Sequence, residues 1–303
     1  IIDEGPYKLY STKTPDKDYM MLFAQENAST EEYILAIRNS YEAQVYHNAT
    51  AYTLLPTQGR PGYTRKFINM YLKKDGTAFT DQEGWQTLPF TEEVKDRDPR
   101  LAQSIRTPGY KRIGAKRVQG PDLGVTITGY QPIKFVQDTT ASGGQIDRND
   151  RSTCDMPVFR YAEVLLNYAE AMNEAYGPDQ APGDYALTAL DALQLVRDRA
   201  SLQLPIVTAA TRDEFREAVK HERRIELAFE DHRYWDLLRW KDAMEVLNKP
   251  VRGVKVTKTG EGKWSYTQTE VATRTFLERN YYMPFTRSEV ENSNHTLEQN
   301  PGY

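Results

Sequence analysis

The sequence predicts a mostly α-helical protein in which tetratricopeptide-like helical hairpins pack against a loop-rich region with short strands. Residues 156–176 carry apolar side chains at intervals of three and four, the period of one helix face. Alanines recur through this stretch and the next predicted helix, so two helices can pack closely there. Residues 41–150 are instead dense in Gly, Pro, Asn and Asp, which is typical of loops and short elements.

We divide the chain, as one domain, into a loop-rich region (residues 1–155), a helical region (residues 156–248) and a C-terminal loop segment (residues 249–303). In the loop-rich region, residues 31–38 predict a buried strand or a half-turn that enters the core. Residues 67–72 predict a helix that ends at Gly76 as its C-cap. Pro99 predicts the first residue of a helical turn, where proline is tolerated.

The helical region predicts four helices arranged as two hairpins. The first covers residues 156–176 and stops at Gly177-Pro178. The second runs from Asp184 to about Ala200, with leucines and valine on its inner face. The third and fourth are predicted over residues 212–230 and 233–247. Such repeat arrays need about three units to bury a continuous core, so two hairpins should leave apolar helix surface uncovered.

The third helix carries two carboxylates on its apolar face. With about 3.6 residues per turn, the stripe from Phe215 meets Val219, Glu222, Glu226 and Phe229. Burying an unpaired carboxylate costs several kcal/mol or more, so we expect structural ion pairs inside the junction of the helices. The neighbouring guanidinium groups are the expected partners: Arg223, Arg224, Arg233 and Arg239. The alternative is a solvated, charged surface helix, which Leu227-Ala228-Phe229 and Tyr234-Trp235 argue against.

The run 222–240 is also the first place where the chain resembles a known family. Its letters ERRIELAFEDHRYWDLLRW are similar to the C-terminal signature of SusD/RagB-type nutrient-binding outer-membrane lipoproteins, apart from Asp231, where Gly is usual, and Tyr234, where Trp is usual. Further segments resemble the family in the same order: EEYILAI at 31–37, RDPR at 97–100, RYAEVLLNYAEA at 160–171, VRDRA at 196–200 and QNPGY at 299–303.

The resemblance implies a function as well as a fold. It implies a lipid-anchored protein on the extracellular face of the outer membrane, which captures oligosaccharide without catalysis and without a cofactor. A SusC-like TonB-dependent transporter is the implied partner. Peptide capture, as in RagB-like members, a helical-repeat scaffold for proteins and a glycoside hydrolase remain alternatives. Because Ile1 is not Met and the matching starts mid-family, we expect an absent N-terminal half, or a companion fragment, to cover the exposed helix surface.

Composition and motifs further restrict the class of protein and the kinds of site that we expect. The net charge of −4 does not favour nucleic acid, and no apolar run approaches the ~18 residues that span a bilayer. Cys154 is the single cysteine, so no intrachain disulfide forms. A zincin-like start at His221-Glu222 has Ile225 in place of the second histidine. Residues 147–150 could offer oxygens to calcium but lack the spacing of a full loop. We therefore expect no metal site and no catalytic residues.

Binding is the better interpretation of the loop aromatics. The chain contains 20 tyrosines, and aromatic faces beside polar groups suit sugar surfaces. We expect the loop-rich region, residues 1–155, to face the ligand. Packing in the core remains the alternative for each candidate taken alone. The candidate ligand-binding residues are Tyr46, Asn48, Tyr63, Trp85, Tyr110 and Trp264.

Overall fold

The protein forms two compact units, Ile1–Glu230 and Asp231–Tyr303. The structure, a computed structural model, describes residues 1–26, 30–199, 204–260, 263–294 and 296–303, without the side chains of 252–269 and 271. The boundary between the units lies inside the predicted helical region, residues 156–248. Across the residues so described, we find no helix with the length and apolar character that crossing a membrane requires.

The first unit is mostly helical, with one small sheet. Its loop-rich half contains short elements: α1 (Asp18–Phe23), β1 (Tyr33–Ile37), α2 (Ala49–Leu54), α3 (Arg65–Ile68), α4 (Phe90–Glu93), α5 (Pro99–Ala102) and the irregular α6 (Ala141–Gly144). Two single 3₁₀ turns also lie there, at Phe79–Asp81 and Trp85–Thr87. Its second half contains β2 (Met156–Arg160), α7 (Tyr161–Tyr176), α8 (Ala189–Arg197) and α9 (Arg212–Glu226).

Helix α7 is the centre of the largest apolar cluster, and it packs against both α8 and α9. Leu165, Leu166 and Ala169 of α7 are fully buried, and Leu193 of α8 and Phe215 of α9 meet them there. The three-and-four spacing of these residues puts them on facing stripes. The first predicted hairpin, α7–α8, is therefore confirmed. The second would join α9 to a helix of the other unit and stays a prediction.

The start of α7 corrects the expected helix 156–176. Residues Met156–Arg160 form strand β2, which pairs antiparallel with β1 and places Phe159 opposite Leu35. Pro157 cannot donate to a ladder, but both strands are edges, where proline is tolerated. The apolar period continues across the strand-to-helix junction, so periodicity alone did not reveal the change.

Helices α8 and α9 are shorter than the helices that their apolar spacing predicted. Helix α8 begins after Thr188, whose hydroxyl accepts from the backbone N–H of Asp191, while the Asp191 carboxylate accepts from the N–H of Thr188. This capping box starts the helix five residues later than expected, and the expected end at Ala200 lies outside the described residues. Helix α9 ends at Glu226, four residues early, because Phe229 takes a left-handed φ of 66°.

Two expectations for short elements had different outcomes. The turn that begins at Pro99 is confirmed as α5, and the carboxylate of Asp98 caps it by accepting from the N–H of Arg100. The helix expected over 67–72 was wrong: α3 ends at Ile68. Gly76 instead occupies a tight turn with φ 84°, where its N–H donates to the Lys73 carbonyl.

The second unit contains α10 (His232–Arg239), α11 (Ala243–Leu247), β3 (Val251–Gly260), β4 (Lys263–Ala272), a 3₁₀ turn (Glu278–Tyr281) and α12 (Arg287–Asn292). Leu237, Ala243 and Phe276 form its buried apolar cluster. The single helix expected over 233–247 was wrong. Lys241 takes a left-handed φ of 62° between α10 and α11, which ends the first helix.

The expected C-terminal loop segment 249–303 contains an antiparallel hairpin, β3–β4. This corrects the sequence interpretation, which took residues 249–303 for a loop segment that contains a Gly-Glu-Gly turn at 260–262. Two runs rich in Val and Thr flank that stretch. Such runs around a short Gly-containing turn are the signal of a hairpin, and it would have identified the strands.

Candidate functional site

A cluster of buried charges occupies the interior of the first unit. It contains five cations and five anions, so its formal charge is zero. The cations are Arg100, Arg160, Arg197, Arg199 and Lys134; the anions are Glu32, Asp98, Glu222, Glu226 and Glu230. Each of these side chains is at most 6% exposed.

Glu226 is the most connected carboxylate of the cluster. Its Oε1 accepts from Arg160 at 2.8 Å and from Arg199 at 2.6 Å, and its Oε2 accepts from Arg100 at 3.0 Å. One turn earlier on α9, Glu222 accepts from Arg197 at 3.0 Å and also from Arg100. Both carboxylates thus lie on the same helix face and share the Arg100 guanidinium.

Glu230 and Glu32 extend the cluster away from α9. Glu230 accepts from Lys134 Nζ at 2.6 Å and from Arg160 Nε at 2.6 Å. Glu32, just before β1, accepts from Arg160 at 2.9 Å and also from Arg199. The cluster therefore ties β1, the β2–α7 junction and the end of α9 to one another.

The electrostatics keep these carboxylates ionised. Burial acts to raise the pKa of Glu226, but the charges of Arg199, Arg160 and Arg100 outweigh it and hold that pKa well below its usual range. The same balance lowers the pKa of Glu222, where burial is opposed by Arg100 and Arg197. A general acid needs a pKa near the working pH. The geometry and charge of this cluster suit a structural role, not proton transfer.

The partners of Glu222 and Glu226 correct the sequence expectation. The expected partners were Arg223, Arg224, Arg233 and Arg239. The contacting guanidinium groups come instead from residues 100, 160, 197 and 199. Side chains one residue apart on a helix point in different directions, and Arg223 points to α7, where it donates to Asn167 Oδ1 at 2.6 Å. Arg233 lies half-buried in the second unit. Burial lowers its pKa, and the charges of Asp236 and Asp242 act against this.

Sequence reasoning missed these cations because it searched nearby in the chain. A signal was present, since each cation except Lys134 lies in a segment already compared with the family: RDPR, RYAEV and VRDRA. Glu32 likewise lies in EEYILAI. Charged residues that recur in otherwise apolar landmarks would have predicted a common buried site.

The candidate ligand residues Tyr46 and Asn48 lie close to each other on the surface of the first unit. The guanidinium of Arg151 lies over the Tyr46 ring, 5.0 Å from its centroid. The Asn48 side-chain oxygen accepts from the backbone N–H of Asp150. Segment 46–48 and segment 150–152 are joined by paired backbone hydrogen bonds between His47 and Ser152.

The other candidate aromatics pack against the protein. Tyr110 is 8% exposed and lies in an apolar cluster, and the Tyr63 ring stacks on Phe67 at 4.9 Å. Trp85 is half-buried; it meets Phe79 edge-on and lies under Arg65, 5.5 Å from the ring centroid. The backbone of Trp264 is part of β4, and its side chain lies outside the described residues. Their roles in binding stay predictions.

Cys154 and His47 are neighbours, with 3.5 Å between Sγ and Nε2. Burial raises the pKa of the Cys154 thiol, and burial lowers the pKa of His47. A thiol nucleophile requires an accessible, low-pKa sulfur, so this pair is a poor nucleophile–base pair. Over the described ranges of the chain, the structure places no three His, Cys, Asp or Glu side chains where they could hold a metal ion.

Comparison with known proteins identifies the family. The sequence pattern of the SusD family matches residues 23–303. The chain belongs to the SusD family. A SusD-like protein of Formosa agariphila is 35% identical in sequence over an alignment that covers 76% of this chain and 43% of that protein.

Solved SusD-like structures share the fold. A SusD-like protein of Bacteroides fragilis covers 98% of this chain with a TM-score of 0.72 and 25% identity. A second structure from Bacteroides fragilis, named a SusD-like carbohydrate binding protein, covers 96% with a TM-score of 0.69 and 26% identity. These alignments cover 59% and 58% of those two chains. The chain thus spans between about two fifths and three fifths of the length of these three relatives.

Proposed function

We propose that this chain holds oligosaccharide at the cell surface as part of a SusD-family nutrient-binding protein, and that it leaves the bonds of the sugar intact. The observation that carries the proposal is the likeness to a SusD-like carbohydrate binding protein, which covers 96% of the chain. The surface placement of Tyr46 and Asn48, beside Arg151, supports it, because such side chains offer both an apolar face and hydrogen bonds.

The proposal also states that the protein does not hydrolyse the oligosaccharide it binds. Glycoside hydrolysis needs one carboxylic acid with a raised pKa and a second carboxylate placed across the bond. The buried carboxylates of the charge cluster are instead held ionised by guanidinium groups, and they lie away from solvent. Incubation of the protein with oligosaccharides, followed by chromatography, should release no product; release of shorter sugars would show a hydrolase instead.

Delivery to a transporter completes the proposed function. Family membership supports a SusC-like TonB-dependent transporter as the partner, and an outer-membrane, extracellular location with a lipid anchor. The experiment is co-purification of this protein with a co-expressed SusC-like TonB-dependent transporter. Retained co-purification together with no glycan or peptide binding would favour the alternative of a protein-interaction scaffold.

Calorimetry with panels of glycans and peptides tests the ligand class. We expect heat of binding from oligosaccharides of some linkage and none from peptides of similar length. Heat from peptides alone would support the RagB-like alternative. The likeness to a carbohydrate binding protein favours sugar over peptide.

A further inference from the structure

We infer that the sugar site of the first unit is a strip of tyrosines, formed by residues 40–59 and 141–152, and that it takes an uncharged pyranose oligosaccharide. The inference rests on the proposed function and gives that function a place and a ligand class. We call this surface the tyrosine strip; its rings are Tyr41, Tyr46 and Tyr52.

The rings of the strip are partly open to solvent. Tyr41 is 38% exposed and Tyr52 is 41% exposed, while Tyr46 is half-buried. The centroids of Tyr41 and Tyr46 lie 6.2 Å apart with the rings tilted, and the Tyr46 hydroxyl donates to the Tyr41 carbonyl at 3.1 Å. Pyranose rings present a flat C–H face that packs on such half-open aromatic surfaces.

Glycines support the strip from behind. A Cβ on Gly59 would lie 3.1 Å from the Tyr52 ring, and a Cβ on Gly143 would lie 3.3 Å from the Tyr41 hydroxyl. Both glycines have a positive φ, so they also serve the turns that bring the backbone this close. One side of Tyr41 and one side of Tyr52 are therefore packed against a loop, which restricts these two side chains before a ligand binds.

Polar groups line the same strip. Arg151 lies over Tyr46, and its guanidinium donates to the Asp150 carbonyl at 2.7 Å. Gln58 donates to the Asn149 side-chain oxygen at 3.0 Å, and this contact joins the Tyr52 end to the loop that also meets Asn48. Amides and a guanidinium at the edge of aromatic rings are the groups that hydrogen-bond sugar hydroxyls.

The backbone of the strip is strained at three non-glycine residues. Gln44, Ser142 and Asp150 have φ values of 57°, 52° and 53°. Left-handed conformations are costly for residues with a side chain, and they concentrate at binding and catalytic sites. A tertiary contact helps to retain one of them: the Ser142 hydroxyl donates to the Arg151 carbonyl at 2.5 Å.

The local charge favours an uncharged sugar. Within residues 40–52 and 145–152 the ionised side chains are Glu42, Asp147, Arg148, Asp150 and Arg151. Arg112, which is buried, pairs with Asp147 at 2.7 Å and brings the total to three cations and three anions. A balanced strip gives no general attraction to uronates or sulfated sugars.

Two other surfaces provide useful contrasts. Tyr176 and Tyr185 also form an exposed pair, with centroids 6.0 Å apart, and the ring of Tyr168 packs edge-on against Tyr185. A cleft of about 460 Å³ is lined by three lysines and three carboxylates, together with Gln82 and Leu88, and has no aromatic wall. The tyrosine strip combines open rings with amide and guanidinium groups, whereas the cleft has charged side chains without rings.

The test is calorimetry of the whole chain with neutral gluco-, manno- and xylo-oligosaccharides, and with galacturonate oligomers of equal length. Tyr41→Ala and Tyr52→Ala should each weaken binding of the neutral ligand by about three- to tenfold, the size of one aromatic contact. Tyr41→Phe keeps the ring and should bind like the unmodified protein. Tyr176→Ala is the matched control and should not change the affinity.

Each outcome decides between the proposals. If the unmodified protein binds neutral sugar and both alanine variants retain that affinity, the tyrosine strip is not the site, but the proposed function stands. If only galacturonate oligomers bind, the ligand class is wrong. If no glycan binds to the folded protein, as judged by circular dichroism, both proposals fail together.

Discussion

Glu226 is a fully buried carboxylate that three guanidinium groups contact. Its burial is readable from the helical period, since Val219 and Phe215 share the same stripe of α9. The helical period does not predict the arginine partners of Glu226, because they lie 27 to 126 residues away in the chain. Contacts at such separations have no local signal in a single sequence.

Replacing Glu226 by Gln should therefore be strongly destabilising. The substitution removes one negative charge and leaves Arg100, Arg160 and Arg199 in excess inside the protein, which costs about 3–5 kcal/mol. Urea denaturation should show this fall in the free energy of unfolding. The control is Glu174→Gln, which breaks a pair with the half-exposed Arg216 and should cost about 1 kcal/mol or less. Equal effects at the two positions would contradict the structural role of the cluster.

Lys134 gives the cluster a dependence on pH. Burial lowers the pKa of Lys134 to about 8, although Glu230 acts to raise it, whereas an unfolded chain has a lysine pKa of about 10.4. Between these values the unfolded state binds more protons, so the free energy of unfolding rises with pH because of this group.

We expect the unmodified protein to gain stability from about pH 8 to about pH 9.5 relative to a Lys134→Met variant, since the lysine titrates between its folded and unfolded pKa values. Measuring urea midpoints of both proteins at several pH values isolates this contribution, because all other groups are shared. Parallel curves for the two proteins would show that the ammonium group of Lys134 keeps its usual pKa in the folded state.

At the scale of elements, turns explain most differences from the sequence interpretation. Phe229 and Lys241 both take a left-handed φ, and each lies inside a stretch where a longer helix was expected. Left-handed residues other than glycine are uncommon, so a pattern of apolar spacing predicts a continuous helix through them. Where a standard signal existed, as with Pro99 after Asp98, the element was predicted correctly.

Asp231 allows a direct test of this strain. Its φ is 65°, and it precedes α10 at the position where the family signature usually has glycine. Asp231→Gly should raise the free energy of unfolding by up to about 1 kcal/mol, because glycine adopts this conformation without a steric penalty. Asp231→Ala keeps a Cβ and is the matched control, which should bring no gain. Thermal denaturation of the two variants side by side measures the difference; a larger gain from alanine would exclude strain at this residue.

At the scale of the whole molecule, the fold class was predictable and the exposure of the aromatic side chains was not. The apolar stripe of α7 and the segments that resemble the family indicated a mostly helical, SusD-like fold. Residue type did not indicate which aromatics would be exposed: Tyr110 and Tyr63 pack inside, while Tyr41 and Tyr52, which were not singled out, face solvent. Exposure depends on contacts from distant loops, and these are set only when the chain has folded.

The buried charges also predict how stability responds to salt. Ionic screening acts on charges that solvent reaches, and it acts much less on buried pairs. The urea midpoint should therefore change little between about 0.05 M and about 1 M NaCl, although the chain carries 39 basic and 43 acidic residues. A large loss of stability at the higher salt concentration would mean that solvent-exposed ion pairs, and not the buried cluster, supply most of the electrostatic stabilisation.

The spacing of the charge cluster along the chain has an evolutionary consequence. The tyrosine strip is built from residues 40–59, between Glu32 and Asp98, and from residues 141–152, between Lys134 and Arg160. Each stretch is therefore an interval of the chain between two residues of the buried charge cluster. Insertions, deletions or exchanged side chains in these intervals would leave every charge of the buried cluster with its counterpart. A lineage could in this way change the surface that we propose binds sugar while it inherits one unaltered interior.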